Sequence, residues 1–320
     1  MKKLLFKCLL LLVLVGGLVY GGGAAYRQTN TYRNLDRNDD LEKFHSMPQS
    51  VDVAVFGSSH GMTNFKTAPD GAVLFNFALS SQIPVYDLRV MRQYQDHIRP
   101  GALVILTVGP SNPYYLQPDS VFSILQPRYY RFLSPENIVD VDISLYLRTR
   151  FSPLLTEDVT EIIAAFFADE EPALTVDARS GHRQTSAEDM PDEMARIRRD
   201  HISAEITTFP EENPVMMDAY REMLRLCQEN GWQAVLVTPP YLAEYCACFT
   251  EFSEDFFDIC LQTMEQLGTE FGVPYMDYSR DPNYAGRYDL FKNIDHLNLE
   301  GAAEFNEQFF EDLRAMGVWQ

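Results

Sequence analysis

Short apolar runs alternate along the chain with longer stretches in which apolar residues recur at helical spacing. VDVAVF (51–56), AVLFNFAL (72–79), ALVILTV (102–108), QAVLVTPPY (233–241) and VPYMDYS (273–279) read as strands. The unbroken apolar character of ALVILTV is that of a strand covered on both faces. Between these runs, PVYDLRVMRQYQDHI (84–98) sets Val85, Leu88, Met91 and Tyr94 at helical intervals. Pro84 suits its first turn, and Pro100-Gly101 ends it. NPVMMDAYREMLRLCQENGW (213–232) is a longer amphipathic helix stopped at Gly231. Further helices are predicted over 253–272 and 299–317.

Strands that alternate with helices mean βαβ units. The pattern predicts an α/β fold over residues 51–320: a three-layer α/β/α sandwich on a mainly parallel, flavodoxin-like sheet. One stretch breaks it. Residues 113–212 begin with the aromatic-rich PYYLQPDSVFSILQPRYYRF, include the helix-like IVDVDISLYLRTRF (138–151) and end in a charged run over 177–201. They read as a helical insertion with a mobile segment, either a surface appendage or a lid or substrate platform.

The N-terminus has a different character. Lys2, Lys3 and Lys7 precede CLLLLVLVGGLVYGGGAAY (8–26), which carries no charge. About 20 apolar residues at about 1.5 Å each span the roughly 30 Å core of a bilayer. Residues 1–26 are therefore predicted to be a cytoplasmic tip and transmembrane helix, with the remainder of the chain outside the membrane. The rival reading is a cleaved signal peptide, because GGGAA supplies small residues after the apolar run. The polar residues 27–50 read as a juxtamembrane stalk.

Composition narrows the partners. With 46% apolar and 12% aromatic residues the chain is globular, and 26 Lys and Arg against 46 Asp and Glu leave a net charge of −20. That balance argues against nucleic acid or anionic lipid as a direct partner. Cys227, Cys246, Cys248 and Cys260 could form two bridges in three pairings, or stay as free buried thiols. The CAC at 246–248 lacks zinc-site spacing, so neither a metal nor another cofactor is expected.

Two segments carry candidate chemistry. In Gly57-Ser58-Ser59-His60, small polar residues follow a strand directly. Ligands of open α/β sheets bind beyond the carboxyl ends of the strands. A serine there becomes a nucleophile when a base takes its proton and fixed donors hold the oxyanion. The second segment is KNIDHLNLEGAAEF (292–305), which sets Asp295-His296 in a loop before a helix that Asn298 caps. A histidine there can act as general base, with a neighbouring carboxylate to orient it. His60 either contacts substrate, donates to Ser58, or packs below the strand edge. His45, His97, His182 and His201 read as solvated.

Taken together, these segments resemble the SGNH (GDSL-like) hydrolase superfamily. They look most like its membrane-anchored members that handle cell-envelope polymers, such as the D-alanyl transfer protein and polysaccharide O-acetyltransferase-like proteins. The resemblance covers about 51–112 and 213–317. It implies Ser59 as nucleophile, with Ser58 where the name-giving Asp usually stands, and His296 as base. Ser81, in NFALSS (76–81), falls where a glycine N–H normally serves the oxyanion hole, and Asn112, in VGPSN (108–112), is the counterpart of the asparagine donor. The last block of the family is Asp-x-x-His, and here Asn293 stands at that aspartate's position. Three arrangements fit: Asp295 supports the base, a Ser59–His296 dyad suffices, or activity is reduced or lost.

The implied function is an exported, membrane-tethered serine esterase or acyltransferase, acting on an acylated carbohydrate or polyol polymer. A membrane-bound acyl-donor protein is a further partner. The alternative is a non-catalytic binding or assembly module of the same fold. The aromatics Tyr114, Tyr115, Tyr129, Tyr130 and Phe132 would then stack on sugars, or else belong to the core.

Overall fold

The uncharged N-terminal run forms the bulk of helix α1 (Lys2–Tyr26), which is long and apolar enough to cross a membrane. The computed structural model describes residues 1–38, 40–114, 126–168, 170–172, 181–203, 206 and 208–319. In chain order, α1 is followed by α2 (Asn30–Asn38), β1 (Val51–Phe56), α3 (Ser59–Asn64), β2 (Leu74–Asn76), α4 (Pro84–Tyr94) and β3 (Ile98–Thr107). Next come α5 (Ile143–Phe151), α6 (Val159–Phe167), α7 (Met190–Ile197), α8 (Pro214–Glu229) and β4 (Gln233–Thr238). The chain closes with α9 (Ala243–Phe252), α10 (Phe256–Phe271), β5 (Tyr275–Asp277) and α11 (Leu299–Ala315).

These elements fall into two compact units, Met1–His45 with Ser123–Thr175, and Ser46–Phe122 with Val176–Gln320. In the first unit α1 runs against the turn after α5. The Ser152 hydroxyl donates to the carbonyl of Val19 at 2.8 Å, and a Cβ on Gly23 would stand 2.1 Å from that Ser152 oxygen. Glycine is what admits this approach. Beyond it, Tyr26, Ile162 and Ala165 form a small core with Tyr32 and Leu154. Within the polar stretch after residue 26, Asn30–Asn38 forms helix α2. Asp142 and Asp158 cap α5 and α6 by accepting backbone N–H groups of Leu145 and of Thr160 and Glu161.

The second unit holds the sheet. Its five strands are parallel in the order β2-β1-β3-β4-β5, with Val53 opposite Leu103 and Leu103 opposite Gln233. All side chains from Val53 to Phe56, from Ala102 to Thr107 and from Ala234 to Thr238 are buried, as both faces of a parallel sheet must be. Val53, Val55, Ile105, Val235 and Val237 share one core cluster with Phe249 of α9, Phe256 of α10 and Phe305 and Phe309 of α11.

Several boundaries differ from the sequence reading. Strand β2 is confined to Leu74–Asn76, because Asn76 turns its amide onto the carbonyls of Gly61 and Phe65 and Pro84 soon opens a helix. Helix α9 was not foreseen: its buried face of Tyr245, Cys246, Cys248 and Phe249 lacks an aliphatic stripe. The insertion is divided, with 123–175 in the first unit and 113–122 and 176–212 in the sheet unit. The described part of its charged run, 181–201, packs within the sheet unit. Thr185 N–H donates to Phe291 O at 2.8 Å and Leu299 N–H to Gly181 O at 2.6 Å.

The four cysteines of the sheet unit are free and buried, so no bridge forms among them. Tyr114, Tyr129, Tyr130 and Phe132 are buried side chains of the cores; Tyr115 lies outside the described residues. Of the outlying histidines, His45 and His182 face solvent, whereas His97 reaches the Pro48 carbonyl and His201 lies beside Arg196.

Candidate active site

The site begins with a glycine that no other residue replaces. Strand β1 ends at Phe56, and Gly57 turns the chain with φ 133°. A Cβ on Gly57 would lie 1.8 Å from Thr107 Oγ1 on the adjacent strand. Thr107 itself donates to the Phe56 carbonyl at 2.9 Å, and the Gly57 N–H donates to buried Asp87 at 2.8 Å. Gly61 extends the close approach, since its Cβ would meet Thr107 Oγ1 at 2.6 Å and Ala78 at 3.2 Å. Ser58 is extended, and Ser59 starts α3 at the carboxyl end of β1.

The second segment is a loop held at several points. Phe291 bridges Leu297, and Lys292 N–H donates to the His296 carbonyl at 2.9 Å. Asn298 caps α11 by accepting the Gly301 N–H at 2.9 Å, while its amide donates to Asp289 O at 2.7 Å. Gly301 lets this loop lie on the helix; a Cβ there would stand 2.1 Å from the Leu290 carbonyl oxygen.

The two segments meet. His296 Nε2 is 2.8 Å from Ser59 Oγ. Its Nδ1 faces two acceptors, Asn293 Oδ1 and Asp295 Oδ1, each at 3.2 Å. With acceptors on that side, the ring proton belongs on Nδ1, which leaves Nε2 to accept the Ser59 hydroxyl proton. Burial pushes His296 down to about 4, against the pull of Asp295 and with the help of His60. The ring is therefore neutral at pH 7, the state a general base requires.

Asp295 has no exposed surface on its side chain, and three groups surround it. Arg196 Nη2 lies 3.0 Å from its Oδ1, and His60 Nε2 lies 3.3 Å from its Oδ2. Burial alone would raise Asp295, but the facing His296 and His60 outweigh it and hold the carboxyl well below the usual range. Arg196 comes from α7, in the charged run, and also pairs with Glu193 at 2.9 Å. Sequence reasoning missed it, because nothing in ARIRRDH distinguishes one arginine that turns inward from its solvated neighbours.

His60 is buried behind this pair. Its ring stacks on His296 at 4.5 Å and 17°, and meets the edge of Tyr241 at 5.2 Å and 82°. Ser58 Oγ is 3.4 Å from its Nδ1. The ligand atoms of His60, Asp295 and His296 lie within 4.8 Å of one another. Two near-parallel stacked rings do not aim their in-plane lone pairs at one point, and Arg196 already sets a positive charge on Asp295. The donor set suits an ion-paired cluster better than a bound cation.

The two expected oxyanion donors are placed differently. Asn112 is buried just beyond β3, and its Oδ1 accepts the Gly109 N–H at 2.5 Å. That bond fixes the amide orientation and leaves Nδ2 without a protein partner among the described residues. Ser81 is exposed and has φ 53°, the left-handed conformation that a glycine would adopt without strain. Its loop is tied to the turn that carries Ser59 through Leu79 N–H to Gly57 O at 3.3 Å.

Comparison with protein-family models gives no match, and comparison with curated proteins gives none either. Among solved structures, the chain is similar to the protein YxiM of Bacillus subtilis, at 13% identity and a TM-score of 0.37. The likeness covers 85% of this chain and spans 58% of the length of YxiM.

Proposed function

We propose that the protein is a membrane-tethered serine acyl-transfer enzyme of SGNH (GDSL-like) type. The observation that carries this reading is the 2.8 Å contact of Ser59 Oγ with His296 Nε2, on a ring whose Nδ1 faces Asn293 and Asp295. Ser59 attacks an ester or thioester carbonyl while His296 takes its proton. His296 then returns that proton to the leaving group as the tetrahedral adduct collapses to an acyl-enzyme. Ser59 N–H, Ser81 N–H and Asn112 Nδ2 are the proposed oxyanion donors. Water as acceptor makes the protein an esterase; a sugar or polyol hydroxyl makes it a transferase.

The strand order 2-1-3-4-5 is that of flavodoxin-like sheets, which supports a three-layer sandwich with the site beyond its strand ends. Helix α1 is proposed as an uncleaved anchor with the sheet unit outside the membrane. Tethering favours an acylated envelope polysaccharide or teichoic acid as substrate, and a membrane-bound acyl donor, through effective concentration.

The test is labelling of the full chain, in detergent, with a fluorophosphonate ester probe. Modification at Ser59 that disappears in Ser59→Ala and in His296→Ala supports the reading. Absence of labelling in protein whose melting curve shows it folded favours the non-catalytic module, for which Asn293 in the aspartate position is the specific motive.

A further inference from the structure

A cavity lies in the first unit, at the end of the apolar helix. Its volume is about 510 Å³, and five arginines line it: Arg27, Arg33, Arg37, Arg131 and Arg150. Among the described residues, two carboxylates answer them. Asp36 is paired with Arg131 and lies 3.3 Å from His45, and Glu42 pairs with Arg37 at 3.0 Å. The other three guanidinium groups bond to neutral oxygens. Arg27 donates to the carbonyls of Thr149 and Arg150, Arg33 to Gln28 Oε1, and Arg150 to the carbonyls of Arg131 and Leu133. Each guanidinium has five N–H donors, so among the described residues Arg27, Arg33 and Arg150 bring donors and positive charge that no carboxylate answers. The chain's net charge of −20 speaks against anionic partners for the surface at large; this cavity is a local inversion of it.

Its position says which anion it takes. Arg27 follows Tyr26, the last residue of α1, so the cavity opens at the level where a bilayer's headgroups would begin. The helices beside α1 are apolar on their outer surfaces. Ile143, Leu147 and Phe151 recur every fourth residue on α5, and all are exposed. Val159, Ile163 and Phe167 do the same on α6. Water is a poor neighbour for such a surface, whereas acyl chains continuous with those around α1 are a good one. Thr149 and Arg150 line the cavity from the same helix that exposes Leu147 and Phe151. One molecule with a negative head and an apolar tail satisfies both.

We propose that this cavity binds the phosphate of an anionic phospholipid, whose acyl chains lie along the exposed faces of α5 and α6. Arginine suits the role because its planar fork meets phosphate oxygens two at a time. The proposal rests on the reading of α1 as an anchor and is independent of Ser59 chemistry.

The test uses the full chain purified in a neutral detergent. Native mass spectrometry compares retained phosphatidylglycerol with phosphatidylcholine of the same chain length, and melting curves compare the first lipid with inorganic phosphate. The expected result is preferential retention of phosphatidylglycerol, reduced by about tenfold in Arg33→Gln, as for loss of one charge-assisted contact. Arg33→Lys should retain an intermediate preference. Stabilisation by the lipid but not by phosphate is also expected. Equal retention of the two lipids, an unchanged preference in a folded Arg33→Gln, or equal stabilisation by inorganic phosphate overturns the proposal. Arg150→Gln provides the same comparison should Arg33→Gln fail to fold. Carbonate extraction separately reports whether α1 holds the chain in membranes, and fluorophosphonate labelling separately reports on the serine site.

Discussion

The imidazoles of His60 and His296 lie 4.5 Å apart and 17° from parallel, and the carboxylate of Asp295 stands against both. Two stacked rings so close resist carrying two positive charges. One buried carboxylate, already met by Arg196, leaves little to offset a second cation. The cluster therefore holds His296 unprotonated at neutral pH, the state the proposed role as base requires.

The pH dependence follows. Burial holds His296 near 4, against 6.5 for an ordinary histidine. As a base it works only when neutral, so the acid limb of kcat/KM should fall near pH 4. A limb near pH 6.5 would mean that the ring is hydrated and the cluster open. Stability shares this window. Between about pH 6.5 and 4 the unfolded chain binds a proton at this position that the folded chain does not, so stability declines as the pH falls. Chemical denaturation at a series of pH values measures that slope, which His296→Gln should flatten.

Asp295 and Asn293 contribute different things to the base. Both reach Nδ1, but only Asp295 carries charge to stabilise the imidazolium formed in the transition state. Asp295→Asn is expected to lower kcat by about 10³- to 10⁴-fold, approaching the loss seen when a triad aspartate is neutralised. Asn293→Ala should cost about tenfold, since a positioning hydrogen bond is lost and the carboxylate stays. A larger loss in Asn293→Ala than in Asp295→Asn would reverse these roles. Single-turnover kinetics on an activated ester gives both numbers.

Arg196 links the charged run to the site. Arg196→Met keeps most of the side-chain volume and removes the charge beside a fully buried carboxylate. The expected destabilisation is about 2 kcal/mol, less than for a fully buried ion pair because the arginine is partly exposed. Asp295 should then titrate higher, and the acid limb of activity should move with it. Thermal unfolding together with the pH profile distinguishes this from a loss of packing alone, which would leave the profile in place.

Gly57→Ala tests the turn beneath the nucleophile. The added methyl would collide with Thr107 Oγ1, and φ 133° is hostile to any side chain. Loss of about 3 kcal/mol or more is expected from clash and backbone strain combined. The companion Gly57→Ala/Thr107→Ser keeps the hydroxyl and should recover little; Gly57→Ala/Thr107→Ala removes the clashing oxygen and should recover more.

What the sequence discloses and what it withholds divide along physical lines. Strands β1, β3 and β4 are legible because a parallel strand buried on both faces reads as one apolar run. The segments that carry Ser59 and His296 are marked locally, one directly after β1 and one just before α11, whereas the choice of Ser59 over Ser58 comes from the resemblance. Arg196 and Asp295 stand 99 positions apart; no local pattern records a contact made only by folding. Helix α2, NTYRNLDRN, is too polar to show an apolar stripe. Ser81 is singled out by the resemblance alone, and its left-handed backbone, φ 53°, leaves no mark in the local sequence.

The unpaired cysteines have a consequence for where this domain can be made. Burial pushes Cys227 and Cys246 up to about 12 and also raises Cys248 and Cys260. A thiol attacks a disulfide only as thiolate, so these four are poor partners for exchange while the domain stays folded. The sheet unit needs no oxidant to reach its native state, and an oxidising surrounding has little to act upon once it is there. The protection belongs to the folded state alone: while the chain is still folding these thiols are exposed, and an oxidising surrounding could then cross-link them.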